Sequence, residues 1–164
     1  MAAELRAAAT REEQMSTETH RGLARRYFEE FLNQGNLCVA DEIFDPHVNY
    51  RGPFVAIEGV DRLKRYFLMV RKSFPDLHVV AEEGISEGDR VCSCFSSSGT
   101  FLGDFDGTQF RRRRFSIRGV DVFRMHHGKI LEVRSYFDSY DQMQQLGFIG
   151  FQEELQKKKE RLKP

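Results

Sequence analysis

Residues 115–137 read FSIRGVDVFRMHHGKILEVRSYF. Phe115, Ile117, Gly119, Asp121, Phe123 and Met125 share one parity, although Val120 and Val122 leave the other parity partly apolar. Past His126, His127 and Gly128, Leu131, Val133, Ser135 and Phe137 alternate with Glu132, Arg134, Tyr136 and Asp138. A period of two on both sides of a Gly-containing turn predicts two long antiparallel strands, over 110–125 and 129–137. A strand as long as the first must bend to stay on a small domain, and Gly119 is the expected bend or bulge.

Working toward the N-terminus, the alternation continues. Arg90 to Phe101 predicts a third strand, and Gly88-Asp89 turns it back onto Leu77 to Glu83. Before Pro75 the period changes to helical. Val60, Leu63, Phe67, Val70 and Phe74 form one stripe, with Gly59 ahead of it. Leu37 to Phe44 predicts a short helix that Pro46 stops, and His47 to Arg51 an extended piece broken by Gly52-Pro53. Leu23, Tyr27, Phe28, Phe31 and Leu32 mark a first helix, with Ser16 or Thr17 as N-cap and Gly35 as its stop. Toward the C-terminus, Asp138 caps a short last helix that Gly147 closes, which is the expected duty of Asp138 and Asp141.

Helices followed by a strand meander indicate an α+β domain. The expected architecture is N-terminal helices packed on a strongly curved mixed or antiparallel sheet, forming a cone with an internal pocket. The domain is expected over 16–149, with a frayed tail at 1–15 and a charged helical tail at 150–164.

Composition narrows the function. The chain has 164 residues, enough for one ordinary core, and its 25 Lys+Arg balance 25 Asp+Glu. A net charge of zero argues against nucleic acid or an anionic membrane as partner. The run Arg111 to Arg114 lies in a predicted strand, where alternate side chains diverge, and reads as a solvated strand end, or as arginines pairing with acids such as Asp104 and Asp106, rather than a nucleic-acid patch. No apolar stretch reaches membrane-spanning length. Cys38, Cys92 and Cys94 lack disulfide or zinc spacing; the latter two read as small interior or interface packing. The five His show no HxH or HExxH spacing, so no metal is expected. A cytoplasmic location is expected, with organelle import as the minor alternative, because the Ala-rich start carries Glu4, Glu12 and Glu13.

Several pieces together resemble the SnoaL-like polyketide cyclases, in the nuclear-transport-factor-2-like superfamily that also holds ketosteroid isomerases and limonene epoxide hydrolase. They are RRYFEEFLNQGNL (25–37), SFPDLHV (73–79), EGDRV (87–91), SGTFLGDFDG (98–107), FSIRGVDVFRMHHGKILEV (115–133) and YFDSYDQMQQLG (136–147). The resemblance implies a cone-shaped pocket, a homodimer through the outer sheet face, and chemistry without metal or organic cofactor. In the characterised cyclases an Asp on the last strand is the general acid/base of an intramolecular aldol closure. That position falls on Ser135 here, the usual Asp/Asn and His fall near Tyr50 and Arg51, and the cavity His falls on Asp121.

Asp121 is therefore the candidate catalytic residue. A carboxylate inside a strand, if turned into an apolar pocket, acquires a raised pKa and can shuttle a proton near neutrality. The alternative is an ion pair with Arg112 or Arg134. Ser135, on the apolar face of its strand, and Tyr50 are expected to hydrogen-bond a substrate, Arg51 to hold an enolate or carboxylate, and Phe123 and Phe137 to pack against it. A serine hydroxyl cannot replace a carboxylate as base unaided. The leading function is cofactor-free proton transfer, of cyclase or isomerase type, on a small, largely apolar carbonyl compound. The alternatives are a non-catalytic small-ligand binder and a dimeric protein-interaction module.

Overall fold

The computed structural model describes residues 17–105, 108–109 and 112–149. The expected tails at 1–15 and 150–164 lie outside the described residues, as does the start of the strand expected from Phe110. Helix α1 covers 17–26 and runs on as a π-helical segment, Tyr27–Asn33. Then come α2 (Val39–Ile43), β1 (Phe44–Gly52), β2 (Val55–Glu58), α3 (Val60–Ser73), β3 (His78–Glu87) and β4 (Arg90–Phe101). A small hairpin, β5 (Asp104–Phe105) and β6 (Thr108–Gln109), precedes β7 (Arg113–His126), β8 (Lys129–Phe137) and α4 (Ser139–Gln145).

The large strands form one curved, open sheet in the order β2-β1-β8-β7-β4-β3. All neighbours are antiparallel except β1 and β8, which run parallel, so the sheet is mixed. β4 and β8 have the bounds their alternation predicts. β1 starts three residues before the expected piece, at Phe44, and takes the last residue expected of α2. Pro46 does not end a helix directly; it sits within β1 where pairing lapses, between Phe44↔Ile130 and Asn49↔Glu132. A residue without an N–H is tolerated there because no ladder bond is lost.

Gly119 is not a bulge. It sits in unbroken register opposite Phe95 on β4 and Phe137 on β8. A Cβ there would stand 2.5 Å from the Tyr136 carbonyl oxygen and 2.6 Å from the Phe95 ring, so close approach demands the glycine. The register shifts lie elsewhere, one of them at Arg124/Met125 against β8. That shift lets Ile130 and Val133, which differ in parity, both reach 0% exposure.

α1 lies on the concave face and supplies much of the core. Tyr27, Phe28, Phe31 and Phe44 pack with Phe95 and Phe123, with the Tyr27 ring 5.2 Å from Phe123 and edge-on to it. Its C-terminal end is held by side chains. Arg71 of α3 donates to the Leu32 and Asn33 carbonyls at 2.6 and 3.0 Å. The Asn33 amide donates to the Val79 carbonyl at 2.7 Å and accepts from the Val79 N–H at 2.8 Å, covering part of the edge strand β3. At the other end, Asp138 accepts from the Asp141 N–H at 2.9 Å as the N-cap of α4. Gln145 takes both backbone groups of Ser116 on β7, at 2.8 and 3.0 Å. This places a second apolar cluster of Phe115, Ile117 and Leu146, joined by Phe74 and Phe101, beyond the main core.

Candidate functional site

Between the two apolar clusters lies a cavity of about 310 Å³. Its walls come from α1, α3, α4 and the concave face of the sheet. Most of the lining is aromatic or aliphatic, including Tyr66, Phe67 and Val70 of α3, Phe95 of β4 and Phe115 of β7. Its lining includes both the buried Asp121, 2% exposed, and the exposed Phe54, 57% exposed.

The inward set of β7 settles which way Asp121 points. Phe115, Ile117, Asp121, Phe123 and Met125 are all buried, while Arg114, Ser116 and Arg118 are exposed. Asp121 therefore faces the cavity. It makes no ion pair with Arg112 or Arg134: Arg112 lies at a separate surface hollow, and Arg134 on the outer face pairs with Glu132 at 2.9 Å. Directly across the sheet Asp121 faces Ser135 of β8 on one side and Ser93 of β4 on the other. Burial pushes its carboxyl up to about 7, against the opposing pull of hydrogen bonding with the Ser135 and Tyr27 hydroxyls. Its Oδ1 atom is fully buried and has no hydrogen-bond partner among the described residues. Such a group costs free energy unless something else reaches it.

Tyr27 and Tyr50 stand near this carboxyl, and Tyr66 lies beyond Tyr50 on the cavity wall. Tyr27, 1% exposed, leads the π-helical segment of α1, and a π-helical turn is a frequent local feature of functional sites. Tyr50 of β1 is buried, and Tyr66 of α3 stands with its ring 6.0 Å from that of Tyr50. Burial raises the hydroxyl pKa of all three, and for Tyr27 and Tyr50 the neighbouring Asp121 charge raises it further. They stay protonated donors at any physiological pH. Tyr27, Tyr50, Asp121 and Ser135 all line the cavity, and Ser135 is the direct cross-strand partner of Asp121, so four polar side chains meet one otherwise apolar space.

The structure thus brings together Asp121, Tyr50, Ser135 and Phe137 from the sequence-predicted set. It separates two others. Arg51 follows Tyr50 on an extended strand, so it must face the opposite side; it is exposed and lines a neighbouring hollow with Pro53 and Arg134. Phe123 has the inward parity of Asp121 but lies under α1, at 0% exposure, against Tyr27 and Phe28, and does not line the cavity. Cys92 and Cys94 are on the outer sheet face, which excludes the interior reading. The sequence reading missed Tyr27 and Tyr66 as site residues. For Tyr66 a signal existed: Leu63, Tyr66, Phe67 and Val70 share one helical stripe, and a Tyr in such a stripe carries a polar tip into whatever the stripe covers. Among the described residues no three His, Cys, Asp or Glu side chains gather as a metal site, and no helix is long and apolar enough to cross a membrane.

Known proteins share this fold. Solved structures superpose on it closely. A candidate SnoaL-like polyketide cyclase from Jannaschia sp. CCS1 gives a TM-score of 0.72 at 23% identity, covering 79% of this chain and 92% of its own. TsrD from Streptomyces laurentii gives 0.69 at 22% identity, covering 79% and 96%. A SnoaL-like polyketide cyclase from Agrobacterium tumefaciens strain C58 gives 0.64 at 21% identity, covering 77% and 97%. At such identities the likeness establishes the fold alone. No curated protein sequence matches the chain. The family profile described as SnoaL-like polyketide cyclase matches residues 22–146, which is most of the domain, and the chain belongs to that family.

Proposed function

We propose that the protein is a cofactor-independent enzyme of cyclase or isomerase type that moves a proton on a small, largely apolar carbonyl compound, with Asp121 as its acid/base. One observation carries this reading. A single carboxyl, 2% exposed and with an unpartnered oxygen, stands at the inner end of an apolar cavity of about 310 Å³, with its pKa pushed up to about 7. A base poised near the working pH, in a dry site beside protonated donors, suits proton abstraction next to a carbonyl.

In this reading the substrate carbonyl oxygen accepts a hydrogen bond from the Tyr50 hydroxyl, and from Tyr27 once that hydroxyl turns from Asp121 to the substrate. Asp121 removes a proton from the adjacent carbon. The C–H electron pair passes into the carbonyl, and the tyrosines hold the enolate that forms. In an isomerisation Asp121 returns the proton to another carbon. In a closure the enolate carbon attacks a second carbonyl, and that new alkoxide takes the proton from Asp121. Ser135 positions the carboxyl. The serine at the place where cyclases carry their Asp is compatible with this scheme, because Asp121 is its direct cross-strand partner. The carboxyl is supplied from the adjoining strand, roughly 5 Å away.

The test uses deuterium exchange at the carbon next to the carbonyl of 2-tetralone, followed by NMR in D2O. The expected result is acceleration by the wild type and loss of at least about a hundredfold in Asp121→Asn. Binding of 2-tetralone should survive in that variant. Equal exchange in both proteins would remove Asp121 from the mechanism. Binding without any accelerated exchange would favour the alternative, a ligand carrier.

A further inference from the structure

We infer that the cavity selects an uncharged ligand whose oxygen lies at one end, a ketone, enol or phenol on one or two fused rings, and rejects the matching carboxylate or phosphate. This rests on reading the cavity as a ligand site, but not on that site being catalytic.

Charge is the first reason. Asp121 is the one Asp, Glu, Lys, Arg or His among the described residues that line the cavity. The cations nearby serve other places. Arg51 and Arg134 line the neighbouring hollow, and Arg113 lies against Gly147. An anionic ligand would leave water without gaining a countercharge, and it would meet the one acidic group already buried there. Both effects oppose it, and no lining side chain carries a positive charge to offset them.

The placement of the polar groups is the second reason. Tyr27 and Tyr50 line the cavity with the cross-strand pair Asp121 and Ser135, while Ser97 and Gln142 add uncharged polar side chains elsewhere on its wall. From Asp121 the inward face of β7 runs through Ile117 to Phe115, six residues on and about 20 Å away. There the wall is Phe74, Phe101 and Phe115, with Phe74 at 5.4 and 5.2 Å from the other two rings. A ligand that aimed a second oxygen at that wall would strand it against phenyl rings. Size sets the third limit. A cavity of about 310 Å³ holds about ten waters' worth of volume, which suits one or two rings.

The experiment is calorimetric titration with two size-matched pairs, acetophenone with benzoate and 2-acetonaphthone with 2-naphthoate. It is run at about pH 8, where both carboxylate probes are ionised. The ketone of each pair is expected to bind about tenfold or more tightly than its carboxylate. Asp121→Asn should narrow that gap, since one of the two penalties is gone. Ser97→Leu, which fills the cavity wall away from the polar end, should abolish ketone binding. Three results would overturn the inference: a carboxylate binding as tightly as its ketone, no ketone binding at all, or full ketone affinity in the filled variant. Ketone preference without proton exchange would sink only the catalytic reading.

Discussion

Asp121 stands against every local preference of a strand carboxylate, and its burial has a thermodynamic consequence. Its pKa is pushed from an ordinary 3.8 up to about 7 by desolvation. Between those values the folded chain holds a proton that the unfolded chain has released. The stability this confers is full below about pH 4 and falls as pH climbs through about 7, for a total on the order of 4 kcal/mol. Asp121→Asn removes the titration. Urea unfolding at about pH 5 and about pH 8 should therefore show the variant's stability relative to wild type improving with pH. A gap independent of pH would mean that the carboxyl is not desolvated. At this scale the sequence exposed the candidate but left its direction open, because Val120 and Val122 blur the alternation around it. Arg51 shows the opposite case. Its alternation with Tyr50 already excluded that both face one cavity.

Elements were legible where their period was long and clean. β4, β8 and α3 stand where alternation and the helical stripe put them. β2 was not read, since four residues after a Gly-Pro turn carry too little pattern to register. The π-helical widening of α1 has no local signature either; it lies where Tyr27 and Phe31 both pack against Phe44, with ring distances of 6.0 and 5.2 Å. Gly119 belongs to this scale. Its two strand neighbours leave no space for a methyl group, with contacts of 2.5, 2.6 and 2.9 Å awaiting it. Gly119→Ala should lower stability by about 2 kcal/mol or more, read as a drop in Tm, because backbone rather than a flexible side chain must yield. An unchanged Tm would show that β8 can shift away at little cost.

For the whole molecule, the cavity is a region where packing has been left incomplete between two clusters. Such a void forfeits dispersion and burial that a filled core would gain. Ser97→Leu should raise Tm by a few degrees, about 1 kcal/mol, as burial of a small apolar side chain replaces empty volume. A fall in Tm would mean that the cavity wall is too rigid to accept the larger side chain. Stability gained where ligand binding is lost is the expected exchange at a functional void.

The amino-acid sequence by itself determined the fold class, the long strands and the family resemblance. Those rest on hydrophobic periods and turn residues acting over a few neighbours. It also marked Asp121 and Ser135 as residues out of keeping with an apolar face. Only the tertiary structure decided that β1 joins β8 in parallel, that these two residues stand opposite each other, and that Phe123 lies under a helix while Tyr27 and Tyr66 reach the cavity. Each of these depends on which distant segments pack together, and pairing between segments as far apart in sequence as Phe44 and Ile130 leaves no periodic trace in either partner.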